Sequence, residues 1–306
     1  MQLTTTGRTT GRRAGFLGRV WRSRTAYLFL LPTFIFLAYF MYYPAWTALQ
    51  GAFTYWDGFN PPQFVGLENF RRAFSDPVLR TATLNNLIWI VFGIVLALIP
   101  SFLVAELIFF LQGQKKQYFY RTLFVVPIIV PSIVLVLLWT YFYRGDGLIN
   151  QLLGVVGLER FQTLWIGNPD TALYALILMG FPWINAFNLL IFYAGLQGIS
   201  KEVLEAARLE GATGWRRVLK IDVPLVLPQF RLLLILAIVG NVQNIVTPLV
   251  MTDGGPGYST YVPALHMYKT AVTYGEFGYS MAISFLLFAV VLGLTLISQR
   301  TRRNRA

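Results

Sequence analysis

Apolar residues in this chain come in long runs rather than in the short alternations of a soluble helix or strand. A helix needs about 20 mostly apolar residues to cross a bilayer. Six stretches qualify, at approximately 26–49, 85–111, 120–143, 171–196, 226–250 and 277–298. The pattern predicts an all-α, polytopic membrane protein with six transmembrane helices. The first run follows a basic segment, as a signal peptide would. It is longer than an h-region, and no small-x-small cleavage site follows Tyr42, Tyr43 and Pro44, so it is expected to be retained. Segments rich in Gly and Pro separate the runs and mark turns. One contains Trp56-Asp57-Gly58-Phe59-Asn60-Pro61-Pro62, another Gly145-Asp146-Gly147, a third Thr252-Asp253-Gly254-Gly255-Pro256-Gly257. None is long enough for a separate soluble domain.

Composition adds the sidedness. Of 306 residues, 56% are hydrophobic and 12% charged, against about 25% charged in a soluble domain. The mean hydropathy is +0.58. The net charge of +12 raises the question of nucleic acid, and the placement of the charges answers it. Residues 1–25 carry Arg8, Arg12, Arg13, Arg19, Arg22 and Arg24. Residues 112–121 carry Lys115, Lys116 and Arg121, and residues 198–225 carry Lys201, Arg208, Arg216, Arg217 and Lys220. The tail carries Arg300, Arg302, Arg303 and Arg305, so these segments hold 18 of the 25 basic residues. The alternate loops hold six, and Arg231 lies inside the fifth run. Basic loops stay in the cytoplasm, so both termini are expected there. The basic residues track topology instead of forming one patch, which argues against a nucleic-acid partner. The chain then divides into a cytoplasmic basic segment (1–25), a six-span body (26–298) and a cytoplasmic basic tail (299–306).

Little in the chain suggests bond-making chemistry. There is no Cys for a disulfide or thiolate site, and a single His, His266, which is expected at the surface of an outer loop. There is no G-x-x-x-x-G-K-[ST], H-E-x-x-H or G-x-S-x-G. Glu106 is the one acid well inside a run, near its cytoplasmic end. It is expected to reach toward the interface or to pair inside the bundle, as is Arg231. The chain is not expected to be an enzyme, to bind a metal or to carry a cofactor. An ion- or proton-coupled secondary carrier is the alternative to keep in view, although such a carrier places an acid or His near the midplane. In the last run, Gly278, Ala282 and Gly293, with Ser280 and Ser284, offer small surfaces for helix packing. Residues 260–274 are expected to form a short interfacial helix.

One inner loop is long, polar and patterned. Ser200 is a candidate N-cap with acids in the turn that follows, and Gly211 is a candidate C-terminal stop. A second short helical stretch, Trp215 to Lys220, precedes Pro224. Two short helices joined by a sharp bend suit docking into another protein.

The stretch EAARLEGATGWRRVLKIDVPLVLP (205–228) resembles the EAA loop of membrane subunits of binding-protein-dependent ABC importers. Glu205, Ala206, Ala207, Gly211, Ile221 and Pro224 occupy the motif positions, with Val223 where Leu is usual. FVGLENFRRAF (64–74), RTLFVVPIIVPS (121–132) and TDGGPGYST (252–260) narrow the likeness to sugar-importer permeases, in the class of the larger membrane subunit of the maltose transporter, without its extra N-terminal spans or large external insert. The likeness covers residues 26–300. It implies that Glu205, Ala206, Ala207 and Gly211 couple the chain to cytoplasmic ATPases. The implied partners are a second permease, two ATP-binding subunits that hold ATP and Mg, and an extracytoplasmic sugar-binding protein. The implied location is the bacterial or archaeal inner membrane, multi-pass and surrounded by lipid.

Sugars are held by amide hydrogen bonds and by aromatic faces. Buried amides in a span are costly unless paired, so they mark either a pathway or interhelical hydrogen bonding. The fourth run holds Trp183, Asn185 and Asn188, and the fifth holds Asn241 and Asn244. Each Asn pair is three apart and is expected to face one way. The resemblance points to Asn241 and Asn244, whose positions align with sugar contacts in the maltose permease.

Overall fold

The computed structural model describes residues 24–303, with side chains through residue 297. The basic segment 1–23 and the tail residues 304–306 lie outside the described residues, as do the side chains of Arg300, Arg302 and Arg303. The chain divides after Gln50 into two units. The first is helical. Helix α1 (Arg24–Leu37) passes through a π-helical turn at Ala38–Tyr42 into α2 (Tyr43–Gly51), and Pro32 is accommodated inside α1.

The second unit opens with a two-stranded hairpin, β1 (Thr54–Tyr55) antiparallel to β2 (Gln63–Phe64). Helix α3 (Glu68–Ser75) leads to the long α4 (Pro77–Phe110). Then come α5 (Gln114–Val125), α6 (Ser132–Phe142), α7 (Leu148–Val155), α8 (Pro169–Leu178) and α9 (Ala186–Gln197). The inner loop forms α10 (Lys201–Leu209), α11 (Gly214–Arg217), a π-helical turn at Val218–Asp222 and α12 (Val223–Leu225). Helices α13 (Leu227–Val242), α14 (Val246–Thr252), α15 (Pro263–Val272) and α16 (Phe277–Arg303) complete the unit.

The six expected runs are all helical, but three of them are broken. The stretches at Arg24–Gly51, Pro77–Phe110 and Phe277–Ile297 are long and apolar enough to cross a bilayer, and two bent pairs bring the number to five. The expected span 120–143 bends by 87° between the 3-10 turn at Val126–Ile129 and α6. The expected span 171–196 is two short helices, α8 and α9. The expected span 226–250 stops at Val242 and restarts at Val246. Hydropathy registers a run of apolar side chains and is blind to the direction of the backbone within it. Pro131 and Pro182 stand at two of the breaks, where a missing N–H cannot continue a helix. The stretch 260–274 holds a helix, α15, with Pro263, Ala264, Leu265, His266 and Thr270 buried.

Helix α4 is the axis of the second unit. Its first half packs Ala82 and Trp89 against α6, α8, α14 and α15. Its second half packs Leu98, Phe102, Ala105 and Ile108 against α9 and α13. In the second half, the rings of Phe102, Phe192 and Phe230 meet at 4.5–5.3 Å between centroids. In lipid there is little hydrophobic drive between helices, so such contacts hold by close packing and by polar bonds. The small residues of α16 behave accordingly. Ala282 is fully buried, and the Ser280 hydroxyl donates to the Met267 carbonyl of α15 at 2.8 Å.

The start of α4 is a polar junction. Asp76 caps the helix, its Oδ1 accepting from the N–H groups of Val78 at 2.8 Å and Leu79 at 3.1 Å, with Pro77 at the first helical position. Its Oδ2 accepts from the Tyr279 hydroxyl at 2.8 Å and lies 3.1 Å from His266 Nε2. His266 was expected at the surface. It is buried, 7% exposed, because α15 folds back onto α4 and α16. Arg72 extends the junction, 2.7 Å from Glu276 and 4.0 Å from the centre of the Tyr279 ring.

Burial alone would raise the Asp76 carboxyl. The Tyr279 hydroxyl, the two backbone N–H groups and His266 outweigh it and hold the carboxyl below the usual carboxylate range. A depressed carboxylate stabilises the fold above its unfolded value of about 4, and this is lost as pH falls through the lower folded value. Asp76→Ala is therefore expected to lower stability at pH 7 by about 1–2 kcal/mol from the lost cap alone. Thermal unfolding in detergent should show the gap between wild type and variant narrowing toward pH 3. A gap that does not change with pH would contradict the assignment.

Candidate functional site

Two breaks in the bundle face each other across α4. Between α8 and α9, residues 179–185 leave helical geometry, with Gly180 at φ +93° and Trp183 at φ +58°. Between α13 and α14, residues 243–245 interrupt the helix. A broken helix inside a membrane exposes backbone groups that must find partners within the protein. The side chains at these breaks supply them. The Trp183 indole N–H donates to the Leu178 carbonyl at 2.8 Å. Asn185 caps α9 by accepting from the Asn188 N–H at 3.0 Å, and its own N–H donates to the Ser101 hydroxyl of α4 at 2.9 Å. Asn86 Nδ2 of α4 donates to the Asn241 carbonyl at 3.1 Å.

A cavity of about 300 Å³ opens between the two breaks, bordered by Trp89, Gly93, Trp183, Asn185, Asn241 and Asn244. That is near the lower end of the volumes that hold small ligands, about 300–1,000 Å³. No ionisable side chain lines it. Among the described residues, Asn241 Oδ1 and the Nδ2 groups of Asn185 and Asn244 have no protein partner, since Asn241 Nδ2 is used on the Ala237 carbonyl and Asn244 Oδ1 faces the Thr247 N–H at 3.4 Å. One free acceptor, two free donors and two indoles suit an uncharged, hydroxyl-rich ligand.

Four of the five expected pathway residues thus meet at one cavity. Asn188 does not. It is 9% exposed, and its Nδ2 donates to the Ala97 carbonyl of α4 at 3.0 Å. The expectation that Asn185 and Asn188 share a face fails because Asn185 sits at the N-cap, off the helical screw, while Asn188 is the side chain that ties α9 to α4. Gly93 was missed by sequence reading. A Cβ added there would lie 2.7 Å from Asn241 Oδ1, so glycine is what lets the amide approach α4. An isolated glycine in an apolar run was the available signal.

The inner loop folds as two short helices. Ser200 Oγ caps α10 by facing the Val203 N–H at 3.4 Å. Gly211 takes φ +72°, and the Ala212 N–H reaches back to the Ala207 carbonyl at 2.8 Å, closing the helix in a Schellman pattern. Glu205, Ala206 and Gly211 are exposed. Ala207 is 5% exposed and faces the bundle, so of the expected coupling residues it packs inward. Sequence reading passed over the apolar side chains that this loop leaves bare, Leu209 at 91% and Trp215 at 67% exposure.

Residues 90–303 match the model of the family described as binding-protein-dependent transport system inner membrane component. A probable ABC transporter permease protein, YurN of Bacillus subtilis (strain 168), is 30% identical over 276 residues, 90% of this chain and 94% of the relative. The trehalose/maltose transport system permease protein MalF of Thermococcus litoralis is 28% identical over 290 residues, 92% of this chain and 95% of the relative. In fold, the chain resembles a protein in the crystal structure of a bacterial alginate ABC transporter in complex with alginate pentasaccharide-bound periplasmic protein. The TM-score is 0.80 and the identity 20%, with 94% of this chain and 97% of that one covered.

The Gly211 cap can be tested directly. Gly211→Ala has room for its Cβ but must hold a left-handed backbone, at a cost of about 1–2 kcal/mol. Amide exchange at Glu210 and Ala212 is expected to quicken several-fold, with exchange in α4 unchanged. Equal exchange in both proteins would show that the cap does not limit the loop.

Proposed function

The chain belongs to the family of binding-protein-dependent transport system inner membrane components, and on that basis we propose that it is a permease subunit of an ABC importer for a sugar or related polyol. It forms the translocation pathway with a second permease. Two cytoplasmic ATP-binding subunits, which hold the ATP and Mg, dock on the 198–225 loop, and an extracytoplasmic binding protein delivers the substrate. The chain crosses the inner membrane six times, with both termini in the cytoplasm. The three broken runs count as one crossing each, and the 18 basic residues of the inner segments support that orientation.

The observation that carries this reading is the cavity between the two breaks. Trp183 offers an apolar face to the CH surfaces of a sugar ring, with Trp89 at the cavity wall, and Asn185, Asn241 and Asn244 offer neutral donors and an acceptor to its hydroxyls. Discontinuous helices meeting around a midplane site are a recurring way to build a transport pathway. The same lining gives an ion- or proton-coupled carrier nothing to titrate. On this reading ATP binding draws the ATPases together. Their motion reaches the membrane through Glu205, Ala206, Gly211 and the exposed Leu209 and Trp215. The spans then rock as rigid bodies between inward- and outward-open states. The chain itself makes and breaks no covalent bond.

Replacing Asn244 by Leu removes a free donor and keeps a similar volume. Uptake of labelled sugar by cells or proteoliposomes carrying the full complex is expected to fall at least tenfold, while the ATPase still co-purifies. Normal uptake at limiting sugar would remove Asn244 from the pathway. Gly211→Trp is expected to reduce co-purification of the ATPase or to leave hydrolysis running without uptake. If neither changes, the docking assignment is wrong.

A further inference from the structure

Ionisable side chains are scarce in the bundle, yet three of them meet at the end of α4 next to the inner loop. Glu106 lies one turn before the end of α4 and is 3% exposed. Arg217 ends α11 at 6% exposure, and Asp222, at the close of the π-helical turn, is fully buried. Arg217 Nε donates to Asp222 Oδ2 at 2.8 Å. The same guanidinium lies 3.9 Å from the centre of the Phe110 ring and 5.5 Å from that of Phe109. Both Glu106 oxygens, Asp222 Oδ1 and Arg217 Nη2 are buried without a hydrogen-bond partner among the described residues.

Stability does not explain this cluster. Burying an ion pair and a further acid costs desolvation that well-packed apolar side chains of similar size would avoid. What a buried ion pair adds is intolerance of displacement, because separating the charges in a dry setting leaves each without compensation. An apolar contact can slide by an ångström or two at much smaller cost. The charges join two elements that differ in role. Arg217 and Asp222 belong to the exit of the inner loop. Glu106, Phe109 and Phe110 belong to α4, the single helix that runs from the Asp76 junction, along the cavity at Trp89 and Gly93, to the loop. Pro100 interrupts the hydrogen bonding of α4 between the cavity and the cluster, and α9 splints it there. The Asn188 amide bonds the Ala97 carbonyl on one side of Pro100, and the Ser101 hydroxyl accepts the Asn185 N–H on the other.

We propose that Arg217, paired with Asp222 and stacked on Phe110 of α4, is the positioning residue that fixes the inner loop to α4, so that displacement of the loop is passed to the central cavity. The inference rests on the reading of the loop as the ATPase dock. Arg217 touches neither nucleotide nor substrate. It acts by denying the loop independent movement.

The test uses the assembled complex, with permeases, ATPases and binding protein reconstituted in liposomes. The triple variant Glu106→Gln, Arg217→Met, Asp222→Asn removes the ion pair and the neighbouring acid together and leaves no charge unpaired. It is expected to assemble and to melt within a few degrees of wild type. Stimulation of ATP hydrolysis by the loaded binding protein is expected to fall at least tenfold per assembled complex, and uptake with it. Arg217→Lys keeps the charge and loses the planar stacking on Phe110, and is expected to recover part of the stimulation. A purely structural role would lower assembly or melting and leave stimulation per assembled complex unchanged, and that result overturns the proposal. If the wild-type chain binds no ATPase, the docking reading itself fails. If it binds and the triple variant is stimulated like wild type, the docking reading stands and only the joint is refuted.

Discussion

A peptide group inside a lipid bilayer has no water to bond to, and much of the arrangement of this protein follows from that constraint. An unbroken helix satisfies it at no further cost, as in α4 over most of its length. A break must be supplied with donors and acceptors from neighbouring chain. Here the two central breaks are served by their own side chains and by α4. Asn185, Trp183 and Ser101 serve one, and Asn86 serves the other. Once the backbone is satisfied, the amide atoms left over point into the space between the breaks. The cavity is thus a by-product of mending two interrupted helices, and its neutral polarity follows from mending them with amides rather than with charged groups.

The charged groups are kept to the two ends of α4. At one end Asp76 gathers α3, α4, α15 and α16 around a single carboxylate, using hydrogen bonds from a hydroxyl, two N–H groups and an imidazole. At the other end Arg217 and Asp222 bring the inner loop to the same helix. Neither junction is complete: His266 Nδ1 beside Asp76, like several polar atoms of the cluster at Glu106, is buried without a hydrogen-bond partner among the described residues. They differ in what they hold, since the first gathers helices around a capped helix start and the second ties a loop to a helix end.

Much of this was visible in the sequence, unevenly. The six apolar runs all fell on helices, though α3 and α7 lie outside them, and the pattern from Ser200 to Gly211 located the cap and the stop of α10. The breaks were not visible, since a bent apolar segment and a straight one have the same hydropathy. Single side chains were misplaced for the same reason. His266 read as a surface residue because a loop His gives no hint that α15 will fold back over it. Asn188 read as a partner of Asn185 because a helical spacing was assumed across a residue that turned out to be a cap. Ala207 read as part of a docking surface, although an alanine amid charged neighbours on an amphipathic helix equally marks the buried side. Gly93 carried no motif at all, and its importance depends on a neighbour almost 150 positions away.

The exposed Leu209 and Trp215 have a consequence for the chain on its own. With Leu219, at 65% exposure, they leave large apolar side chains bare on a polar loop, so a copy with nothing covering them is more prone to self-association than a covered one.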